Sequence, residues 1–163
     1  MIPVQGQVWE ISFDFVLVKE VARTTNLLQF TINNLQSPID DTQIPKIIIY
    51  KRNITVQINR DEKIMVSLGQ HEVNLGQKYR LVVRQMSNTG QNRRTKMATI
   101  NDASIGVRTD LYNKAFKNVN CFLGNPWEPP APVVISNLRY TEDLLYPGKG
   151  NTFFYFLFFF FYI

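Results

Sequence analysis

About ten short apolar runs, each closed by turn-forming residues, govern what this chain can fold into. No stretch sustains a helical period. The clearest run is Val8 to Val18, VWEISFDFVLV. Trp9, Ile11, Phe13 and Phe15 fall on one side, and Glu10, Ser12 and Asp14 on the other. Side chains of a strand alternate between faces, so this is a strand with one buried side and one wet side. Further strands are expected at Leu27–Ile32, Lys46–Tyr50, Asn53–Asn59, Ile64–Leu68, Tyr79–Gln85, Lys96–Asn101 and Ala103–Val107. Loops are expected at Lys19–Thr25 and Asn33–Gln43, a hairpin turn at Arg60–Lys63, and a loop at Ser87–Asn92. Gly69 and Gly76 are read as brackets around a short segment at Val73, and Asn101-Asp102 as a tight turn. Such a succession predicts an all-β chain folded as an antiparallel sandwich or barrel. Val, Ile, Thr, Phe and Tyr outweigh helix-favouring Ala, which points the same way. At 163 residues with 45% hydrophobic and 19% charged residues, the chain fits one globular domain.

The stretch Phe116–Tyr140, FKNVNCFLGNPWEPPAPVVISNLRY, reads as strand, stiff corner, strand. Val119, Cys121 and Leu123 share a face at strand period. Gly124-Asn125-Pro126 ends the first strand, and Pro129, Pro130 and Pro132 keep the corner out of a helix. Val133, Ile135 and Leu138 resume a buried pattern. The two strands are expected to close the sandwich, with Trp127 locking the corner. Cys121 is the sole cysteine, which excludes an internal disulfide; on this face it is expected to be a small core residue rather than a nucleophile. His71 is the sole histidine, so a His/Cys zinc site has too few ligands, and His71 is expected on a turn or surface.

The N-terminal residues show no basic, apolar and small-residue leader pattern, so the domain is expected to begin almost at Met1, either as a cytosolic protein or as an internal piece of a longer secreted chain. The last eleven residues, Phe153–Ile163, contain only Phe, Tyr, Leu and Ile. A membrane-crossing helix needs roughly 20 apolar residues, so no span is expected. All four residue types have codons built from A and T alone, and Gly148-Lys149 can be encoded as GGTAAG, an intron start. The expectation is a domain over 1–146 and a tail over 147–163 that is a gene-model artefact or disordered.

Three stretches resemble the laminin-G-like, concanavalin-A-like jelly-roll superfamily: WEISFDF at Trp9–Phe15; QIPKIIIY through NITVQIN at Gln43–Asn59; and KYRLVVRQ at Lys78–Gln85 with the Phe116–Tyr140 ending. That ending, with Asn125-Pro126-Trp127 and Ile135-Ser136-Asn137-Leu138, looks like one that recurs in extracellular multidomain proteins of invertebrates. The resemblance covers roughly residues 3–141. It implies two antiparallel sheets of six or seven strands. It also implies a further strand before Trp9, whose absence is expected to mark an incomplete N-terminus. An extracellular location and binding of glycans, calcium or matrix proteins are implied as well, with glycosidase activity in a minority of relatives.

Glycoside hydrolysis needs two carboxyl groups about 5 to 10 Å apart. Glu10 and Asp14 share a strand face but stand roughly 13 Å apart along it. Asp61 and Glu62 are adjacent at a hairpin tip. No enzyme activity is therefore expected. Calcium would take loop oxygens, for which Asp40, Asp41, Asp102 and Asp110 are the candidates, against a reading as solvated loop acids. No other cofactor is expected. Between Val73 and Ile100 the chain has six basic residues and no acidic one. If Ser87–Asn92 joins two strands, Lys78, Arg80, Arg84, Arg93, Arg94 and Lys96 gather in one basic patch suited to a sulfated glycan or other polyanion, against a reading as an ordinary wet face. The formal net charge of +5 permits such a partner without requiring it. Nucleic acid is not expected, because aromatic residues do not interleave with the charges. Asn53-Ile54-Thr55 fits the N-glycosylation pattern. Trp9 and Trp127 are expected to pack in core and corner rather than stack on sugars. The sequence thus predicts a non-enzymatic extracellular module for glycan or matrix protein; the alternatives are a divergent glycosidase or a fragment without independent function.

Overall fold

The computed structural model describes residues 2–5, 8–31, 43–59, 65–88, 93–110, 116–124, 130–142 and 154–156. Within them the chain forms strands joined by turns: β1 (Ile2–Gln5), β2 (Trp9–Leu17), β3 (Val21–Thr31), β4 (Gln43–Lys51), β5 (Asn53–Asn59), β6 (Met65–Glu72), β7 (Lys78–Asn88), β8 (Arg93–Ile100), β9 (Ala103–Asp110), β10 (Phe116–Leu123), β11 (Val133–Glu142) and β12 (Phe154–Phe156). They make two six-stranded sheets. The first has the order β1-β10-β3-β4-β5-β6, the second β12-β11-β2-β7-β8-β9. Every neighbouring pair is antiparallel. The predicted antiparallel sandwich is therefore the observed architecture.

The alternation in β2 carries into packing. Trp9, Ile11, Phe13, Phe15 and Leu17 are all buried, and they join Leu28, Phe30, Ile47, Ile49, Ile54, Val56 and Ile58 of the first sheet in one core. Each such side chain contributes about 1.5–3 kcal/mol by leaving water. Aromatic contacts bridge the sheets: Phe30 of β3 lies 6.0 Å from Tyr140 of β11, and His71 of β6 meets Tyr79 of β7 edge-on at 6.1 Å. Phe15 stacks on Tyr79 within the second sheet at 5.6 Å. The Tyr79 hydroxyl donates to Gln77 Oε1 and accepts from the Asn74 backbone N–H, so its polar tip is satisfied.

One side of the sandwich closes by backbone contact. A Cβ on Gly69 of β6 would overlap the Ile105 carbonyl, and one on Gly106 of β9 would overlap the Leu68 carbonyl. Register shifts lie beside both glycines, where β5 pairs β6 and where β8 pairs β9. The extra residues there, Leu68 and Ile105, pack on the core.

Several expectations need correction. A strand does precede Trp9: β1 pairs with β10, Ile2 lying opposite Val119. Residues 21–25, expected as loop, belong to β3: Val21 pairs with Lys51 and is buried in the core, Thr25 pairs with Ile49, and the register shifts between them. Gly69 lies inside β6, and His71 is a half-buried strand residue opposite Ile54 rather than a turn residue. β10 and β11, the strands expected to close the sandwich, are not neighbours. They sit in different sheets. Cys121 does share the face of buried Phe30, its cross-strand partner, and it keeps solvent access there, while desolvation by its surroundings pushes the thiol up to about 12. Alternation decides which face a residue takes, not whether the opposite sheet reaches over it. Trp9 is core, as expected, and Trp127 lies outside the described residues. Of the tail, Phe154–Phe156 pair with Leu138–Tyr140.

Backbone geometry sets the stability of two places in the fold. Gly69→Ala and Gly106→Ala should each lower the unfolding free energy by about 2–3 kcal/mol, since backbone cannot yield to the new methyl as a flexible side chain would. At the β8–β9 turn, Asn101 (φ 48°) and Asp102 (φ 66°) both occupy the left-handed region. Asp102→Gly should therefore raise stability by about 0.5–1 kcal/mol. Denaturant melts of the three variants measure both effects.

Candidate functional site

The outward face of the second sheet carries the charged side chains. On β2 the residues between the core positions are Glu10, Ser12, Asp14 and Val16; on β7 they are Lys78, Arg80, Val82 and Arg84. The register sets acid against base. Glu10 lies opposite Arg84 and Asp14 opposite Arg80, while Lys78 stands one diagonal step from Asp14. Arg84 Nη2 is 3.0 Å from Glu10 Oε2. Lys78 Nζ is 2.8 Å from Asp14 Oδ2, and Arg80 Nη1 is 3.5 Å from Asp14 Oδ1.

Asp14 is the centre of this network. Its side chain is only 7% exposed, whereas Lys78 and Arg80 are 63% and 46% exposed. Asn137 of β11 also donates its amide to Asp14 Oδ2 at 2.7 Å. Asn137 can reach it because the β11–β2 register shifts between Ser136 and Arg139, with Asn137 at φ 54°. Asn tolerates this left-handed conformation better than most residues. Burial alone would raise the Asp14 carboxyl. The hydrogen bonds from Lys78 and Asn137 and the Lys78 and Arg80 charges outweigh it and hold the carboxyl below its ordinary 3.8.

The expected six-residue basic patch divides. Lys78, Arg80 and Arg84 share the outward face, and Arg93, exposed at the start of β8, continues it. Arg94 and Lys96 do not join them. They face inward, each 2% exposed, across from Ser87 and Gln85 on β7 and from Asp110 and Arg108 on β9. Consecutive residues of a strand point to opposite sides, so Arg93 and Arg94 cannot share a face. The face gains Arg139 instead. This exposed residue of β11 lies opposite Ser12. Four cations, Lys78, Arg80, Arg84 and Arg139, thus stand around two carboxylates, and the face keeps a positive excess among the described residues. Ser12 and Val82 point outward yet are 2% and 7% exposed, lying beneath the long side chains around them. Sequence reasoning missed Arg139 because the register shift sits between it and the strand pattern that precedes it.

Of the four calcium candidates, the structure describes two, and these lie apart. Asp40 and Asp41 lie outside the described residues. Asp102 is exposed in the β8–β9 turn, and Asp110 ends β9 opposite Arg94. The length of β9, about 25 Å at strand rise, separates the two. Among the described residues no three His, Cys, Asp or Glu could hold a metal together. Glu10 and Asp14 each have cationic partners and point from the same side of one strand, so they do not face each other across a cleft. Asn53 is exposed at the start of β5. An apolar hollow between the sheets is lined by Leu27, Leu123, Ala131, Val133 and Ile135 with Asn26, whose amide is bonded to Gln29 at 2.9 Å.

No protein-family model matches the chain, and no curated protein matches it. Solved structures do match in fold. The endo-β-1,4-glucuronan lyase of the fungus Trichoderma reesei superposes with a TM-score of 0.57 at 12% identity, over 84% of this chain and 67% of that one. The alginate lyase A1-II', a member of polysaccharide lyase family 7, gives 0.55 at 10% identity, over 84% of this chain and 62% of that one. The receptor binding domain of botulinum neurotoxin type G gives 0.58 at 11% identity, over 83% of this chain and 34% of that one. This chain therefore spans about a third of the toxin domain's length. The likenesses show the fold, a jelly-roll β-sandwich compatible with the concanavalin-A-like class.

The Asp14 network sets a pH dependence. A carboxyl whose folded value is depressed adds stability that is fully present above its unfolded value, near 3.8, and lost as pH falls through the lower folded value. Melting temperatures of the wild type should therefore drop more steeply below about pH 4 than those of Asp14→Asn, with the two curves converging at the acid end.

Proposed function

We propose that this chain is a non-catalytic saccharide-binding module that uses the outward face of its second sheet to hold an anionic glycan. The observation that carries this reading is the Asp14-centred array. Its two carboxylates are engaged by neighbours, while the exposed parts of Lys78, Arg80, Arg84 and Arg139 remain at the surface. Guanidinium groups pair bidentately with the oxygens of carboxylates and of other oxyanions such as sulfate. The array supplies positive charge without a metal.

Proteins of like fold support the saccharide reading by their names: lyases of glucuronan and alginate, and a botulinum neurotoxin binding domain solved with SialylT (TM-score 0.55, 12% identity). Within this reading the domain belongs with laminin-G-like modules of extracellular proteins, as the Asn125-Pro126-Trp127 ending suggests. The two lyases also favour a second reading, an enzyme acting on acidic polysaccharide. Proton abstraction needs a positioned base. The outward residues of β2, β7 and β8 include neither Tyr nor His, and both carboxylates of β2 are ion-paired. Binding is therefore the better supported reading.

Retention on immobilised alginate and heparin, eluted by salt, tests it. The wild type should bind both. Arg84→Ala with Arg139→Ala should weaken binding about tenfold or more at fixed salt, with circular dichroism melts confirming an intact fold. Unchanged elution of the double variant would reject the proposed face. Formation of unsaturated sugar from alginate or glucuronan, followed by ultraviolet absorbance, would replace the binding reading with the enzymatic one.

A further inference from the structure

The β4–β5 hairpin carries the chain's sole Asn-x-Ser/Thr triplet, Asn53-Ile54-Thr55. Its backbone sorts the three residues. Ile54 is fully buried in the core, while Asn53 and Thr55 both point out of the first sheet, Asn53 exposed and Thr55 half-buried. The turn is a tight one, Tyr50–Lys51–Arg52–Asn53, with Lys51 at φ 52°. Tyr50 and Asn53 are therefore direct cross-strand partners on one face, the geometry in which side chains touch. Tyr50 is 45% exposed, one of the few large hydrophobic side chains at the surface among the described residues, although Lys51 Nζ lies 5.6 Å from its ring centroid. On the far side of Asn53 stands Glu72, which is engaged by Arg52. Asn53 thus lies beside an aromatic ring that is nearly half exposed, with Lys51 also close to it.

We propose that Asn53 carries an N-linked glycan whose first sugar packs on the Tyr50 ring. In the transfer, Asn53 Nδ2 forms a bond to C1 of the first sugar of a lipid-diphosphate-linked oligosaccharide. The bond from C1 to the diphosphate breaks, the amide gives up a proton, and the lipid diphosphate leaves. The sugar's apolar C–H face then covers the ring, as an apolar cross-strand partner would. This inference rests on the extracellular placement proposed above but not on the saccharide-binding face. Asn53 lies on the outer side of the first sheet, so a glycan there leaves the Lys78–Arg84 face of the second sheet open. Binding to alginate can be measured on unglycosylated protein, which keeps the two proposals separable.

The test directs the full chain to the secretory route of a eukaryotic host and measures intact mass before and after peptide N-glycosidase. One glycan is expected, and Asn53→Gln and Thr55→Ala should each abolish it. A secreted chain with no glycan at Asn53 would overturn the proposal. The packing is read separately. The glycosylated wild type should melt about 1–3 °C above Asn53→Gln, and that gap should vanish when Tyr50→Ala is made in both backgrounds. An undiminished gap without Tyr50 would overturn the role given to the ring.

Discussion

The rest of the sandwich is arranged around a contact that has no side chains in it. At Gly69 and Gly106 the edge strands β6 and β9 approach until each glycine faces the other strand's carbonyl. Two sheets normally stand about 10 Å apart, a distance set by the side chains between them. Removing two Cβ atoms lets one margin close while the middle keeps its spacing. Beside each glycine a register shift inserts one residue, and these residues, Leu68 and Ile105, fill the angle where the sheets converge. The edge strands so joined are protected from pairing with other chains.

From that closed margin the second sheet runs to β2, which does two jobs through one alternation. Its inward row, Trp9 to Leu17, supplies large apolar surface to the core. Its outward row supplies the two carboxylates that organise the cations of β7 and β11. Register couples the jobs: the pairing that seats Phe13 beside Leu81 and Phe15 beside Tyr79 also places Asp14 opposite Arg80. A slip of one residue would expose the aromatic row and bury both acids. The charged array is thus held by the core packing beneath it. Asn137 completes it from the other side through an irregularity in β11.

How much was legible in the sequence varied with the kind of information required. Strand positions were readable where apolar residues alternated, as in β2, β5 and β7. They were misjudged at Val21–Thr25, where the register with β4 shifts between the two buried end residues and no alternation shows. The positive face was half legible. Lys78, Arg80 and Arg84 alternate on one strand and could be assigned together. Arg94 and Lys96 were grouped with them by proximity in the chain, which strand geometry does not respect. Arg139 lies beyond a register shift that no local pattern announces. Gly69 was read as turn punctuation, because a glycine needed for close approach looks the same in sequence as one needed for a turn.

By itself the sequence determined the all-β character, the antiparallel habit, the inward row of β2 and the tight turn at Asn101-Asp102. Each of these depends on residues close together along the chain. Only the tertiary structure decided which strands became neighbours: β10 and β11, consecutive in the chain, were sent to different sheets, and β1 was paired with β10. It alone decided that Asp14 would be enclosed by Lys78, Arg80 and Asn137, and that Cys121 would keep solvent access on a nominally inward face. The physical reason is range. Side-chain alternation is set by backbone geometry two residues at a time, whereas burial, ion pairing and the meeting of Gly69 with Gly106 depend on surfaces that come together only when the sheets stack.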